Sequence, residues 1–233
     1  MEPSRSLRVV TFNTKRLRAG PRALAVADFL RNQRADVVAL QEVSEDAAES
    51  IARHAGFRHC TFAKHARRAQ RGVALLHRLD ARERGGARLP ARWGDDKGFV
   101  RIVLSDASHG DLEVIALHLD WLSRRARTKQ IEALASLLPE ARRRVVLGDM
   151  NAMSFGACIR RRVHDDTTRE LGNALGVEPR GAHRTFPSRS PVWALDWILA
   201  SPALHIADVR VDVPSPRLSD HAALSGYVSS GET

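Results

Sequence analysis

The stretch that decides the fold is VVLGDMN at residues 145–151, a short apolar run that ends in polar side chains. The run predicts a buried strand over 145–147 that stops at Gly148. Asp149 and Asn151 follow at once, where burial without hydrogen-bonding partners would be costly. Taken alone, Asp149 could simply make a turn with its own backbone. The stretch becomes informative because the pattern recurs elsewhere.

Several other apolar runs stop at, enclose or precede a polar residue. These residues are Asn13 after 9–12, Glu42 after 37–41, His118 after 114–117, Asp196 within 193–199, and Asp220 with His221 before 222–224. Each has an ordinary structural explanation, such as a strand end, a helix cap, a buried histidine or an ion pair with an arginine. Together they predict carboxylates, amides and imidazoles converging at strand ends. Because clustered carboxylates repel one another, the group implies a hard cation.

Strand-like and helix-like segments alternate along the chain without repeats or an obvious linker. Helices are predicted over 21–33, from the cap Ser44 to about residue 55, and over 123–138. Strands are predicted over 7–13, 35–41, 72–77, 99–104, 112–119, 145–147, 194–199, 206–211 and 222–228, with a turn at 108–111 and short helices within 154–181. We therefore expect one domain over 1–233, with two sheets packed together and covered by helices.

The composition is that of a globular domain and excludes several classes of protein. Of 233 residues, 43% are hydrophobic and 27% charged, which is too apolar for a disordered chain. No run approaches the roughly 18 apolar residues of a membrane span. Cys60 and Cys158 are too few for a disulfide framework and lack zinc-site spacing. Because no signal peptide precedes residue 7, we expect a cytoplasmic protein without a membrane anchor. No protein partner is evident, and we expect a monomer.

Positive charge is concentrated in one segment. The net charge is +10, and residues 53–92 hold eleven Lys or Arg against Asp80 and Glu83, which gives +9. Such a field attracts polyanions, and the planar fork of arginine suits phosphate. The alternative is a solvated face that reflects an arginine-rich composition.

The polar strand ends also carry motifs that resemble those of the endonuclease/exonuclease/phosphatase superfamily. These metal-dependent phosphoesterases include pancreatic-type DNases and abasic-site endonucleases. The motifs, in the family's order, are Thr-Phe-Asn at 11–13, Gln-Glu at 41–42, His-Leu-Asp at 118–120, Gly-Asp-Met-Asn at 148–151, Leu-Asp-Trp-Ile at 195–198 and Ser-Asp-His at 219–221. In addition, Thr-Phe-Pro at 185–187 resembles a feature of many bacterial members. The resemblance implies an α/β (α+β) four-layer sandwich, with two packed, mainly antiparallel β-sheets flanked by helices and a site at one rim.

The resemblance also implies a metal site. Glu42 corresponds to the principal ligand of a Mg²⁺ or Mn²⁺ ion, with Asn13 beside it. Asp220 corresponds to a second ligand or to a residue at a second metal position. These carboxylate and amide oxygens are the donors that Mg²⁺ prefers.

Catalytic roles follow from the same resemblance. Asp149 corresponds to the residue that activates or orients the attacking water, and Asn151 to one that holds this water or a phosphoryl oxygen. His221 would contact the scissile phosphate, with Asp196 bonded to its other ring nitrogen. An imidazole oriented by a carboxylate gains basicity, so we expect a cationic His221 near neutral pH. His118 is similar to a histidine that contacts the phosphate or assists the leaving group.

Three features depart from the family's pattern. Abasic-site endonucleases usually carry a tyrosine where this chain has His118, and an acidic residue where it has Lys15. Both differences argue against that subfamily. The segment Val-Ala-Leu-Leu after Gly72 lacks the polar residue that some members place there, so the resemblance does not imply that substrate contact for this chain.

Several positions favour nucleic acid as the substrate. Arg124, Arg125 and Arg127 open the helix that follows His118, where an anion would offset their conflict with the helix dipole. Lys15, with Arg16 and Arg18, follows Asn13, and Trp121 and Trp193 are candidates for stacking on bases or sugars. We therefore predict a Mg²⁺-dependent phosphodiesterase acting on DNA or RNA. The alternatives are a phosphatase or lipid phosphodiesterase of the inositol-phosphate phosphatase or sphingomyelinase type, and an inactive nucleic-acid-binding module.

Overall fold

The computed structural model describes most of the chain, namely residues 6–65, 70–91, 97–105, 110–141, 143–152, 166–215 and 217–231. In these residues the chain forms twelve strands and four helices. The strands are β1 (Leu7–Leu17), β2 (Val37–Ser44), β3 (His59–Lys64), β4 (Arg71–His77), β5 (Ala81–Leu89), β6 (Lys97–Leu104), β7 (Leu112–His118), β8 (Arg144–Asp149), β9 (Glu178–Pro179), β10 (Asp196–Ala200), β11 (Leu204–Asp212) and β12 (Ala223–Ser230). The helices are α1 (Pro21–Gln33), α2 (Glu45–Ala55), α3 (Arg124–Leu137) and α4 (Thr167–Leu175). None of these four helices has the length and apolar run that crossing a membrane requires.

The strands form two six-stranded sheets. The first has the order β11-β12-β1-β2-β4-β3, and the second has the order β5-β6-β7-β8-β10-β9. β1 pairs with β2, and β7 with β8, in parallel, while the other paired strands run antiparallel. These two sheets, flanked by helices, confirm the predicted α/β (α+β) sandwich.

The sheets pack face to face, and helices cover their outer faces. In β1, Val9 belongs to the core between the sheets and Val10 to the core under α1 and α2. In β7, Val114 belongs to the core between the sheets and Ile115 to the core under α3 and α4. Because these strands are buried on both faces, their sequences are continuous apolar runs.

Local sequence signals place the helices. Pro21 occupies the start of α1, and Ser123 caps α3 by accepting a hydrogen bond of 3.3 Å from the Ala126 N–H. Ser44 precedes α2, and Gly56 ends it with a φ of +77°, which glycine adopts without strain. The predicted ends of these three helices agree with the structure to within one residue.

Three strands, β3, β5 and the two-residue β9, were not predicted from the sequence. All three are edge strands, and β5 carries exposed Arg82, Arg84 and Arg88, so it has no apolar signature. Charged edges discourage pairing with other chains. Within the predicted helical region 154–181 the structure contains α4, while residues 153–165, with Cys158, lie outside the described residues. Residues 106–109, which include part of the predicted turn, lie outside them as well.

Candidate active site

Asp149 lies at the centre of the site. It ends β8, and the sheet register places His118 of β7 and Asp196 of β10 directly beside it on the two neighbouring strands. All three side chains are buried. Burial raises the pKa of Asp149 to about 6, although the positive charge of His221 and a hydrogen bond from Asn13 oppose that shift. The group therefore changes ionisation close to neutral pH, as a proton acceptor for water requires.

Asn13 brings the first sheet to this carboxylate. Its Nδ2 donates a hydrogen bond of 2.8 Å to Asp149 Oδ2, and the backbone N–H of Asn151 donates one of 2.9 Å to Oδ1. Ser219 ties the Ser-Asp-His motif to the same strand end, because its hydroxyl donates to the Asn13 carbonyl at 2.6 Å and accepts from the His221 N–H at 3.1 Å. Both oxygens of Asp149 are thus held in place.

His221 and Asp196 form a buried pair. The Nδ1 atom of His221 donates to Asp196 Oδ2 at 2.8 Å, and the Thr185 hydroxyl donates to the same oxygen at 2.6 Å. Burial alone would lower the pKa of His221, but the charge and hydrogen bond of Asp196 outweigh it and raise that pKa to about 9. The Nε2 atom lies 4.0 Å from Asp149 Oδ2. A cationic imidazole beside the central carboxylate supports the role expected for His221.

Glu42 and Asp220 lie at the solvent side of the site. Glu42 has a φ of +57°, in a region where a residue with a side chain is strained, and such strain is concentrated at functional sites. Its Oε2 accepts a hydrogen bond of 3.2 Å from the Arg16 N–H and lies 3.6 Å from Arg71. Asp220 Oδ2 lies 2.8 Å from Lys15 Nζ. Each carboxylate therefore already attracts a positive side chain of the chain itself.

The three expected metal ligands converge on one bulge of β1. The pairing of β1 with β2 shifts between Asn13 and Leu17, and Lys15 and Arg16 have positive φ there. The Lys15 N–H donates to Asn13 Oδ1 at 3.0 Å, its ammonium pairs with Asp220, and the Arg16 N–H donates to Glu42. The donor set, two carboxylates and an amide oxygen, fits a hard cation such as Mg²⁺.

A second group of possible ligand atoms lies deeper. Single atoms of Asp149, Asp196 and His221 all come within 4.8 Å of one another. The His221–Asp196 hydrogen bond engages two of these three side chains. The side chains of Glu42, Asn13 and Asp220 are engaged as well, but the ligand atoms they offer are all oxygens, so this group matches Mg²⁺ better than one that includes an imidazole nitrogen.

His118 has a close neighbour, Lys97, that the sequence did not predict. Its Nε2 atom lies 3.0 Å from Lys97 Nζ and 3.7 Å from Asp149 Oδ2. Burial, followed by the charge of Lys97, holds the pKa of His118 well below its ordinary value. The only sequence signal for Lys97 is that it is one of four lysines in an arginine-rich chain and stands just before an apolar run. Asn151 also lies here, and its Nδ2 donates to the Leu119 carbonyl at 3.0 Å.

The predicted substrate-binding arginines separate into two kinds. Arg124 pairs with Asp166 and Glu170 of the α4 region at 3.1 and 2.9 Å. Arg127 is buried and donates to the Thr167 hydroxyl and to the Asp120 carbonyl at 3.0 and 3.1 Å. These contacts join α3 to α4 and to the loop after His118, so they do not favour a substrate role for Arg124 or Arg127.

Arg125 differs from Arg124 and Arg127 in its surroundings. Its exposed side chain lines a cavity of about 390 Å³ together with Lys129, Ser123, Ala126, Pro90 and Ala91. Neither Arg125 nor Lys129 forms an ion pair with any described residue, and Lys129 was not predicted. Trp121, 49% exposed, lies in the loop that leads from His118 to this helix.

Several arginines of the positive segment at 53–92 already have partners within the structure. Arg58 pairs with Asp80 and Arg82 with Asp111, while Arg78 donates to the neutral carbonyls of Ala35, Ala55 and Gly56. Arg71 is the member that reaches the site, through Glu42. Residues 66–69 and 92 lie outside the described part of the chain.

The site combines a buried carboxylate with an imidazole that a second carboxylate holds. Oxygen ligands suited to a hard cation lie beside them at the rim of the two-sheet sandwich. This combination is that of a metal-dependent phosphoesterase. The sequence profile of the Endonuclease/Exonuclease/phosphatase family matches residues 10–221, and the chain belongs to this family. The family comprises hydrolytic, metal-dependent phosphoesterases. No curated protein matches the chain significantly in sequence.

Solved structures share the fold at low sequence identity. An endonuclease/exonuclease/phosphatase from Beutenbergia cavernae DSM 12333 has a TM-score of 0.76 and 17% identity, and the match covers 97% of this chain and 72% of that one. A mannosyl-6-phosphatase from Bacteroides thetaiotaomicron VPI-5482 has a TM-score of 0.69 and 16% identity, covering 96% and 99%. The beta toxin of Staphylococcus aureus has a TM-score of 0.67 and 16% identity, covering 95% and 99%.

Proposed function

We propose that the protein is a Mg²⁺-dependent phosphodiesterase that hydrolyses phosphodiester bonds of DNA or RNA by in-line attack of water. The observation that carries this proposal is an aromatic surface that runs from the catalytic histidine to solvent. The Phe186 ring packs against the His221 ring, with 4.9 Å between the ring centroids. Trp193, which is 40% exposed, stacks on Phe186 with 5.9 Å between the ring centroids. A base or sugar stacked on Trp193 would place its phosphate near His221.

Glu42, Asn13 and Asp220 are the residues that would hold the metal ion. When bound, Mg²⁺ supplies positive charge that offsets the charge of the phosphate group and makes a water molecule more acidic. Fully exposed carboxylates would bind such an ion weakly, whereas strained Glu42 is held in place by the Arg16 N–H.

Asp149 and His221 carry out the proton and charge chemistry. Asp149, ionised above a pKa of about 6, accepts a proton from the attacking water. The hydrogen bonds from Asn13 and Asn151 fix its two oxygens for that task. His221, with its Nδ1 held by Asp196, presents an Nε2–H to a phosphoryl oxygen, so a fixed positive charge meets the charge of the transition state.

Cations beside the site favour a polyanionic substrate. Lys15 and Arg71 border the site through Asp220 and Glu42, and Arg125 and Lys129 stand beyond the loop that follows His118. A phosphodiester chain that passes the site would meet positive side chains on more than one side.

A phosphatase acting on a phosphorylated sugar is the second candidate. A solved structure with the same fold is a mannosyl-6-phosphatase, and the face of Trp193 would suit a sugar ring as well as a base. This candidate needs no cations beyond the site itself.

The test is hydrolysis of supercoiled plasmid, labelled single-stranded DNA, labelled RNA and mannose 6-phosphate, each with Mg²⁺ and with EDTA. The Asp149→Asn variant, purified in the same way, controls for contaminating enzymes. We expect Mg²⁺-dependent cutting of a polynucleotide that the variant lacks, and product lengths would separate internal from terminal cutting. Phosphate release from the monoester alone would instead establish the phosphatase.

A further inference from the structure

Lys97 is a buried lysine at the edge of the catalytic residues. It begins β6, is only 4% exposed, and precedes Gly98, the register partner of His118. Lysine is almost never buried without a partner, because its ammonium loses its hydration. Here the ammonium lies 3.0 Å from His118 Nε2.

This contact fixes the protonation state of His118. An ammonium has hydrogens to donate and no lone pair to accept with, so His118 Nε2 must be the acceptor. His118 is then a neutral imidazole without a proton on Nε2. The low pKa of His118, caused by burial and then by the charge of Lys97, agrees with this state. A proton for the leaving group cannot come from that nitrogen.

Lys97 instead supplies the positive charge on its side of Asp149. His118 Nε2 lies 3.7 Å and His221 Nε2 lies 4.0 Å from the same oxygen, Asp149 Oδ2. The charge of Lys97 also lowers the pKa of Asp149. The central carboxylate therefore has the His221 imidazolium near one flank, and near the other it has His118 together with the Lys97 ammonium bonded to it.

A second neutral imidazole lies beside Lys97. The His65 ring packs against Gly98 and is buried, and its Nε2 atom has no hydrogen-bond partner among the described residues. Burial, and then the charge of Lys97, lowers the pKa of His65 to about 3. The positive charge of this corner therefore resides on Lys97 and not on either histidine.

Resting on the proposed function, we propose that Lys97, and not His118, contacts the leaving oxygen of the scissile phosphate and donates a proton to it, while His118 positions the ammonium. Water oxygen bonds to phosphorus as the bond from phosphorus to the leaving oxygen breaks. The proton of water goes to Asp149, and a proton of the Lys97 ammonium goes to the leaving oxygen. Exchange of protons with solvent then restores both groups.

The first test compares leaving groups that differ in their need for a proton. A p-nitrophenolate leaves without one, whereas the alkoxide of a thymidine dinucleotide requires one. For Lys97→Met we expect at least a 100-fold loss of kcat on the dinucleotide and less than a tenfold loss on bis(p-nitrophenyl) phosphate. Equal losses on both substrates would overturn the proposal. If the protein hydrolyses only monoesters, p-nitrophenyl phosphate and an alkyl phosphate make the same comparison, so the test does not depend on nucleic acid being the substrate.

The second test separates positioning from proton donation by His118. His118→Gln keeps an oxygen that accepts from the ammonium, whereas His118→Leu does not. We expect the Gln variant to be at least tenfold more active on the dinucleotide than the Leu variant. Equal activities would overturn the positioning role.

A spectroscopic test does not require any variant to fold. Nitrogen NMR of the native protein at pH 7 is expected to show His118 neutral, with its proton on Nδ1. A protonated Nε2 on His118 would overturn the proposal directly.

Discussion

The Asn13 side chain donates a 2.8 Å hydrogen bond to Asp149 across 136 positions of sequence and between the two sheets. Asn13 belongs to β1 of the first sheet, and Asp149 ends β8 of the second. The site is therefore assembled by the packing of the sandwich, and its chemistry depends on the same contacts as its stability.

Asn13→Ala removes this hydrogen bond and leaves a buried carboxylate with one partner fewer. We expect the free energy of unfolding to fall by about 1–3 kcal/mol, and the pKa of Asp149 to rise further above its ordinary range. Urea unfolding in EDTA measures the loss without any contribution from a metal ion. Asn32→Ala, on the exposed face of α1, is the matched control and is expected to change little. An equally small change for Asn13→Ala would mean that the cross-sheet bond adds no stability.

The site residues at strand ends could be predicted because buried strands leave a distinct trace in sequence. The apolar runs before Asn13, His118 and Asp149 end where each strand reaches the rim of the sheet. In the structure the side chains of Asn13 and His118 lie 2.8 and 3.7 Å from the Asp149 carboxylate. Helices α1 and α3 could be predicted equally well, because Pro21 and Ser123 mark where they begin.

Contacts that depend on register or on distant partners could not be predicted. Lys97 meets His118 only because β6 and β7 pair antiparallel, and its own sequence context is unremarkable. Arg124 and Arg127 resembled Arg125 in sequence, but their partners belong to the α4 region, about 40 residues further along. The edge strand β5 could not be predicted, because its exposed arginines interrupt the apolar pattern that identifies a strand.

Glu42→Gln tests the metal site. The substitution keeps an oxygen donor but removes a negative charge, so we expect at least a tenfold higher Mg²⁺ concentration for half-maximal activity, which is about 1.4 kcal/mol. Calorimetric titration of the protein with Mn²⁺ checks the affinity without substrate. Glu49→Gln, on the exposed face of α2, is the control. Unchanged metal affinity in Glu42→Gln would remove Glu42 from the ligand set.

Asp149→Asn is expected to separate activity from folding. The amide cannot accept a proton from water, so we expect a loss of kcat of about 10²–10⁴-fold. The fold should persist, because the variant removes a carboxylate whose burial already raises its pKa to about 6. Circular dichroism and thermal unfolding check the fold beside the rate. Turnover at the native rate would show that another group accepts the proton.

Asp149 and His221 are expected to impose opposite pH limits on the rate. Asp149 must be ionised, so activity is expected to rise as pH increases through about 6. His221 must be protonated, so activity is expected to fall as pH increases through about 9. Asp196→Asn removes the charge that raises the pKa of His221 and leaves burial, which lowers it, so the fall should move to lower pH. NMR titration of His221 in both proteins measures the pKa itself. An unmoved pKa would mean that Asp196 does not hold the imidazolium.

The His221–Asp196 pair also links the stability of the fold to pH. Because the pKa of His221 is about 9 in the folded protein against an ordinary 6.5, its pairing with Asp196 stabilises the fold fully below about 6.5. That contribution is lost as pH rises through about 9. Denaturant unfolding at pH 6 and pH 10 is expected to show a smaller difference for His221→Gln than for the native protein, and an equal difference would contradict the linkage.

Arg125 and Lys129 provide the sharpest test of a polyanionic substrate. They lie one helical turn apart on α3, line the same cavity, and have no acidic partner among the described residues. Like charges at this spacing destabilise a helix slightly, and cations in its first turn oppose the dipole, so a bound polyanion would relieve both costs. Replacing both by Ala should weaken binding of single-stranded DNA and lower the slope of log K against log salt by about 1.4, since each phosphate contact contributes about 0.7.

The matched control is Arg53→Ala with Arg210→Ala, which removes the same charge from α2 and β11. Binding is measured by fluorescence anisotropy in EDTA, so that no cutting occurs. The control pair changes the net charge but not the surface near the site, so its salt slope should stay close to that of the native protein. If both pairs lowered the slope equally, Arg125 and Lys129 would contribute only through net charge, and the strand would have to follow a different path past Asp149.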